Sequence, residues 1–328
     1  MNSNRKLQLF LMAIGIFTIT SCKKQGIQDD APATRNESAM IKPDALPDYS
    51  LNNWMSFLPD TMNIAQISIP GTHDSGARTE PISGTAKCQT LSIAEQLNAG
   101  VRYLDIRCRH INNSFAIHHG AIYQNLNYSD VLRACIDFLN AHPSETIMMS
   151  VKEEHTAADN TRSFEQTFDS YVQENAGKWD LGTGISKLSA IRGKIKLLRR
   201  FGSGNAKGID ATQWGDNTTF NINNPAADLK VQDEYKVSNT DAKWTSVKAQ
   251  LDAAHADRSN RLYLNYSSGY KSLIFGIPDI NAVHNSVNPK IAAYFSGNIS
   301  GRYGVIPMDF VTADLARGIV KTNFGHTL

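Results

Sequence analysis

The stretch from Ile67 to Ala77 reads ISIPGTHDSGA: an apolar run gives out at Pro70-Gly71 and sets His73 beside Asp74. A turn uses Gly and Asp readily, but it has no need of an imidazole next to a carboxylate. Such a pair is suited to moving a proton near neutral pH. Comparable groups close other apolar runs: YLDIRCR carries Asp105 and Arg107, FAIHHG carries His118 and His119, and TIMMSVKEE ends in Lys152, Glu153 and Glu154. KIKLLRRF brings Arg199 and Arg200, and GVIPMDF brings Asp309. Two histidines, several carboxylates and an arginine suit phosphoryl transfer. One His takes a proton from the nucleophile, the other gives one to the leaving oxygen, and a planar guanidinium binds the phosphate oxygens. Each group alone has a plainer reading, such as a satisfied His in a turn, a structural Arg–Asp pair or a solvated strand end. Packing does not account for so many polar strand ends together.

The elements that must position these groups alternate along the chain. Ile64 to Ile69 reads as the first strand. SIAEQLNAG holds a capping box, Ser92 with Glu95, and stops at Gly100. VRYLDIRCR reads as a strand, and Val131, Leu132, Cys135, Ile136 and Leu139 recur at helical spacing before His142-Pro143. TIMMSVKEE is a buried strand, a helix lies around Arg162–Glu174, and KIKLLRRF is the next strand. Asp241 to Ala256 is helical with Trp244, Val247 and Leu251 inward, and RLYLNYSS is a strand. NPKIAAYF opens a helix with Pro289 near its first position, GVIPMDF is a strand, and a last helix spans about Thr312 to Lys321. This order predicts an α/β fold with a parallel-strand core: a doubly wound sheet or, favoured here, a single distorted, TIM-like β/α barrel. A closed ring brings all the polar strand ends to one mouth, whereas an open sheet spreads them along an edge.

The chain of 328 residues is 41% hydrophobic and 20% charged, with a formal net charge of +2. No basic field or run of Lys and Arg points to nucleic acid. Arg5 and Lys6 precede an apolar run from Leu7 to Ile19 that is too short to span a bilayer and ends in ITSC. Residues 1–22 therefore read as a lipoprotein signal with Cys22 as the lipidated residue, the alternative being a plain secretory peptide. Residues 23–45 are polar and aperiodic and read as a tether, leaving 46–328 as the catalytic domain. The chain is expected to be exported and held at a membrane surface in the cell envelope. Cys88, Cys108 and Cys135 remain, an odd number, with Cys135 on an apolar helix face and a Cys88–Cys108 bridge left open. No paired zinc spacing occurs.

NWMSFLPD followed by IAQISIPGTHDSGA resembles the opening of the bacterial phosphatidylinositol-specific phospholipases C. The likeness continues in order through YLDIRCR, IHHG, HPSETIMMSVKEE, RGKIKLLRRF, VQDEYKVS, RLYLNYSS and GVIPMDF, from about Asn53 to about Val320. It implies that His73 is the general base acting on the inositol 2-hydroxyl, with Asp309 orienting it. By the same likeness, His119 is the general acid for the diacylglycerol oxygen and Asp74 its partner. Arg107 matches the phosphate-binding arginine and Asp105 a supporting carboxylate. Lys152, Arg200, Asp233 and Tyr235 match the inositol contacts and Glu154 a polar position near the pocket, while Arg199 and Arg200 are left interchangeable. The implied products are diacylglycerol and inositol 1,2-cyclic phosphate, formed without a cofactor or an obligate protein partner. Eukaryotic relatives and a few bacterial ones place calcium where this chain has Arg107, so the resemblance implies no metal. GYKSLIFGIPDI reads either as an apolar rim loop exposing Ile274 and Phe275 or as a buried connection.

Two rival readings remain. A glycerophosphodiester phosphodiesterase would want His-Arg after the first strand and metal-binding carboxylates after the second, and this chain has His-Asp and then Asp-Ile-Arg. A surface lipoprotein that binds inositol phosphates or glycans without turnover would be expected to lack a catalytic His or Asp. Free phosphatidylinositol and glycosyl-phosphatidylinositol anchors present the same phosphodiester and are not distinguished.

Overall fold

In a computed structural model of the chain, residues 47–297 and 300–324 are described. The signal read over 1–22, Cys22 and the whole of the 23–45 tether lie outside the described residues. The strands of the first half are β1 Ile69–Thr72, β2 Tyr103–Ile111, β3 Ser114–His119, β4 Ile122–Asn127, β5 Ile147–Glu153, β6 Trp179–Asp180 and β7 Ile195–Arg200. Those of the second half are β8 Ile209–Asp210, β9 Thr218–Asn223, β10 Asp228–Asp233, β11 Leu262–Asn265, β12 Lys271–Ser272, β13 Pro278–Asp279 and β14 Val305–Met308. The helices are α1 Ile93–Asn98, α2 Tyr128–Ala141, α3 Phe164–Glu174, α4 Leu188–Ile191, α5 Thr240–Ala256, α6 Ile280–Ser296 and α7 Ala313–Val320. None of the described helices is long and apolar enough to cross a membrane.

One curled sheet runs β6-β7-β5-β2-β1-β14-β11-β10-β9. Its neighbours are parallel from β6 to β10, and β9 returns antiparallel at the edge. This is the expected distorted TIM-like architecture, but its hydrogen-bonded ring is not closed. Among the described residues the path ends at two-residue strands on one side and at β9 on the other. The inner face carries Ile69, Tyr103, Met148, Leu198, Val231, Leu264 and Val305. The outer face packs Leu104, Ile106, Met149, Leu197 and Ile306 against Val131, Phe168, Val247, Val283 and Ile319 of the helices.

Side chains alternate across a strand, so these two clusters settle which polar ends share a face. Asp105 and Arg107 follow Tyr103 inward, Lys152 follows Met148, and Arg200 follows Leu198. Arg199 follows Leu197 outward, where it donates to the carbonyls of Lys207 and Phe201 and pairs with Asp210. Gly71 on β1 is required by crowding: a Cβ there would sit 3.0 Å from Tyr103 and 3.3 Å from Pro307.

The Ser92–Glu95 capping box forms as expected. Two local expectations are corrected, and one open question is closed. Ile64–Gln66 is a short 3₁₀ turn, because Asn63 and Gln66 cap it reciprocally, and the strand starts only at Ile69, whose N–H reaches Gly304. Pro289 lies inside α6 rather than near its start: the helix begins nine residues earlier, with the Asp279 side chain accepting from Ala282 N–H. Its buried stripe of Ile280, Val283, Val287, Ile291 and Phe295 holds the helix through the backbone bond that proline forgoes. Cys88, Cys108 and Cys135 are all free and buried, so the Cys88–Cys108 bridge does not form. Cys108 packs in the sheet–helix core, whereas Cys88 belongs to a separate small cluster with Ala77 and Ile280.

Candidate active site

The C-terminal ends of the parallel strands surround a cleft of about 570 Å³. His73, Arg107, His119, Lys152, Glu154, Arg200, Asp233 and Tyr235 line it. Asp74, Asp105 and Asp309 lie beneath them, each at most 1% exposed. All eleven candidate residues among those described are thus brought together, and Arg199 is not.

Each histidine has its own carboxylate. His73 follows β1, its N–H bonds Met308 O at the end of β14, and its Nδ1 lies 2.7 Å from Asp309 Oδ1. Burial and Arg107 disfavour the charged imidazole, but Asp309, by charge and hydrogen bond, and Asp105 together outweigh them and raise the His73 pKa above its ordinary value. Asp74, the next residue, turns the chain through the left-handed region at φ 37°, which Asp tolerates better than most side chains. Its Oδ2 lies 2.8 Å from Nδ1 of His119, at the end of β3. In both pairs the carboxylate lies against Nδ1, as a hydrogen bond for His73 and as a close charge contact for His119, which leaves Nε2 for chemistry. Alternation along β3 turns His118 away from the cleft, against Tyr123 and His155.

Between the two pairs stands a charged cradle. Arg107 donates from Nε and Nη2 to Asp105 Oδ2, at 3.2 and 3.1 Å, and its Nε is 3.9 Å from Asp74 Oδ2. Arg200 Nη1 approaches Asp105 Oδ1 at 3.6 Å. Burial opposes the charge on Asp105, yet Arg107 and Arg200 hold its carboxyl well below the usual range. Burial likewise opposes the guanidinium of Arg107, and Asp105, Asp74 and Glu154 keep it charged. Lys152 Nζ pairs with Glu154 Oε2 at 2.8 Å, and Glu154 Oε1 accepts from Gly120 N–H, tying β5 to the loop after His119. Despite its burial, Glu154 is held down to about 2 by Arg107 and Lys152.

Three contributors were not found from sequence. Trp214 lines the cleft, lies 3.7 Å beneath the Arg200 guanidinium and donates from Nε1 to Asp233 Oδ2 at 2.9 Å. Asp216 accepts from the Tyr235 hydroxyl. Gln89 donates to the carbonyls of both His73 and Met308, bolting the ends of β1 and β14 together. TQWGDN offers only a lone aromatic in a turn, a weak signal, and Gln89 offers none.

A cleft with two separately braced imidazoles facing a fixed guanidinium can take a proton at one wall and give one at the other while neutralising a phosphate. Comparison with known proteins gives the family. Residues 68–201 match a family model described as phosphatidylinositol-specific phospholipase C, X domain. The chain is 35% identical over 281 residues to a 1-phosphatidylinositol phosphodiesterase of Staphylococcus aureus, covering 80% of this chain and 88% of the relative. It is 31% identical over 304 residues to one of Listeria monocytogenes, covering 84% and 90%. A crystal structure of phosphatidylinositol-specific phospholipase C from Staphylococcus aureus superposes with a TM-score of 0.76 at 33% identity, covering 84% of this chain and 98% of that one.

Proposed function

The chain belongs to the bacterial phosphatidylinositol-specific phospholipase C family, and from that premise we propose that it splits phosphatidylinositol by metal-free acid–base catalysis between His73 and His119. The reaction cleaves the phosphodiester between inositol and diacylglycerol. The nucleophile is the inositol hydroxyl next to the phosphate, which arrives with high effective concentration, so no side chain need attack. His73 Nε2 takes the hydroxyl proton as the oxygen closes onto phosphorus, and Asp309 stabilises the imidazolium that forms. His119 Nε2 gives a proton to the departing glycerol oxygen. Diacylglycerol leaves and inositol 1,2-cyclic phosphate remains; water then opens the ring more slowly, with the two histidines exchanging roles.

Arg107, oriented by Asp105, neutralises the equatorial phosphate oxygens as charge builds on them. Lys152, Arg200 and Asp233 offer polar contacts for the inositol hydroxyls, Tyr235 an aromatic edge, and Glu154 sets the Lys152 ammonium. The observation that carries this reading is the pair of His–carboxylate contacts, 2.7 Å for His73–Asp309 and 2.8 Å for His119–Asp74, on one cleft with Arg107.

Access to lipid falls to the rim. Ile274 and Phe275 are 78% and 96% exposed, and Pro278 and Gly276 of the same loop line the cleft. Export and anchoring through Cys22 complete the proposal, and palmitate label that persists in Cys22→Ala would refute that anchor.

Phosphorus NMR on phosphatidylinositol micelles with excess EDTA tests the chemistry. The expected result is a cyclic phosphodiester signal, absent in His73→Ala and in His119→Ala. Turnover that requires added calcium would overturn the role given to Arg107. No turnover with or without calcium would move the reading to another lipid headgroup or to a binding protein.

A further inference from the structure

The acid–base scheme leaves one buried group at the centre of the site without a task. Cys88 is fully buried on the segment before α1. Its N–H bonds Ala77 O at 2.9 Å and its carbonyl accepts from Phe310 N–H at 2.7 Å. It is thereby clamped between the segment after His73-Asp74 and the segment after Asp309. Its Sγ lies 3.6 Å from His119 Nδ1. One ligand atom each from His73, Cys88 and Asp309 lie within 4.8 Å of one another, and the same holds for Asp74, Cys88 and His119. In the first of these clusters Asp309 Oδ2 is buried and has no hydrogen-bond partner among the described residues.

Sulfur, imidazole nitrogen and carboxylate oxygen form a donor set suited to zinc and its soft relatives, and three protein ligands leave a fourth position open. Hard cations such as calcium prefer oxygen alone. We propose that the floor of this cleft is a binding site for one thiophilic divalent cation, Zn²⁺ or Cd²⁺, with Cys88 as the indispensable ligand. Both triads use the same sulfur, so each chain takes a single ion. On binding, the S–H bond breaks heterolytically, the proton leaves to solvent and a sulfur–metal bond forms, with no change of oxidation state. The ion also takes Nδ1 of one histidine out of its carboxylate contact; the proton on that nitrogen passes through solvent to Nε2, which is then no longer free to accept one. The bound ion therefore inhibits turnover, a consequence that rests on the acid–base reading above, whereas binding itself does not.

The full chain in detergent, without lipid, is titrated with Cd²⁺ while the ultraviolet thiolate-to-cadmium charge-transfer band is followed. Zinc inhibition is measured separately on phosphatidylinositol micelles. The native chain is expected to show one Cys88-dependent equivalent, kept in Cys135→Ala and insensitive to excess calcium. In Cys88→Ala and Cys88→Ser the affinity is expected to fall at least about 10-fold, the low end for losing even an outer partner of a metal site. Zinc inhibition, referred to each variant's own zinc-free rate, is expected to weaken as much. An unchanged band, or equal zinc inhibition in both Cys88 variants, would overturn the site. A Cys88-dependent band with no effect of zinc on native turnover would support the site and refute the catalytic roles of His73 and His119.

Discussion

On the proposed mechanism, His73 sets the acid limb of the pH–rate profile. A general base works neutral, so activity is lost as pH falls through its pKa, which Asp309 raises above the ordinary imidazole value of about 6.5. In Asp309→Asn the main raising influence is gone and only the weaker one of Asp105 remains, while burial and Arg107 still press the pKa down. The acid limb of kcat/KM is therefore expected to move to lower pH as the rate falls about 10²–10⁴-fold. A limb that stays in place would mean another group is the base. At this scale much was legible from sequence, because His73-Asp74, Asp105-Ile-Arg107 and His119 sit in short contiguous motifs at the ends of apolar runs. The choice of Arg200 over Arg199 was decided by the inward–outward alternation of β7. The pairing of His73 with Asp309 joins residues 236 apart in the chain. Spacing alone could not assign it; only the likeness to the family pointed there. Trp214, Asp216 and Gln89 went unseen because their value lies in long-range contacts.

The elements carry the site at strand ends and carry their own stability at the opposite end of the sheet. Arg102, just before β2, and Glu145, just before β5, form a fully buried pair at 2.7 Å. Glu145 also accepts from Met55 N–H, and Arg102 donates to the carbonyls of Leu97, Val101 and Leu51. Burial pushes the Glu145 carboxyl up and the Arg102 guanidinium down even though each partner holds the other charged. Removing one charge leaves the other buried and uncompensated. Urea unfolding of Glu145→Gln should therefore show a loss of about 3–5 kcal/mol. Asp60→Ala, which breaks the more exposed pair with Arg192, should lose less than about 1 kcal/mol. Equal losses would contradict this account of the pair. The long apolar strands and capped helices were readable from periodicity. The errors arose where a local cap competed with strand propensity, at Asn63–Gln66, and where a buried stripe overrode a proline signal, at Pro289. Strands β6 and β8, two residues each, carry too little pattern to be seen.

On the proposed function, the whole molecule must bring a cleft built for a headgroup to a lipid surface. Phe275 and Ile274 stand out from the rim beside the cleft, and Ile82 is 62% exposed on the loop whose Gly84 carbonyl accepts from Ile280 N–H. Burying such a side chain in lipid is worth about 1.5–3 kcal/mol, at least about tenfold in partitioning. The variants Ile274→Ser and Phe275→Ser should each bind phosphatidylinositol-containing vesicles about tenfold or more weakly. Their turnover of monomeric short-chain phosphatidylinositol should be unchanged. A matching loss on the monomer would mean that the loop shapes the cleft instead. The barrel was foreseen because strand–helix alternation and polar strand ends admit few architectures. Its open seam was not, since ring closure depends on edge strands too short to read. The exposed state of the 273–277 loop was undecided because an apolar run looks the same buried or bare.

The division of labour between the two histidines is the central claim, and leaving-group dependence tests it most directly. Rates of His73→Ala and His119→Ala are compared with the native chain on phosphatidylinositol and on an inositol phosphodiester with an aryl leaving group, which departs without a proton. The account predicts that His119→Ala recovers most of its loss on the aryl substrate, while His73→Ala remains as impaired as on the lipid. Equal impairment of both variants on both substrates, or recovery of His73→Ala, would contradict it.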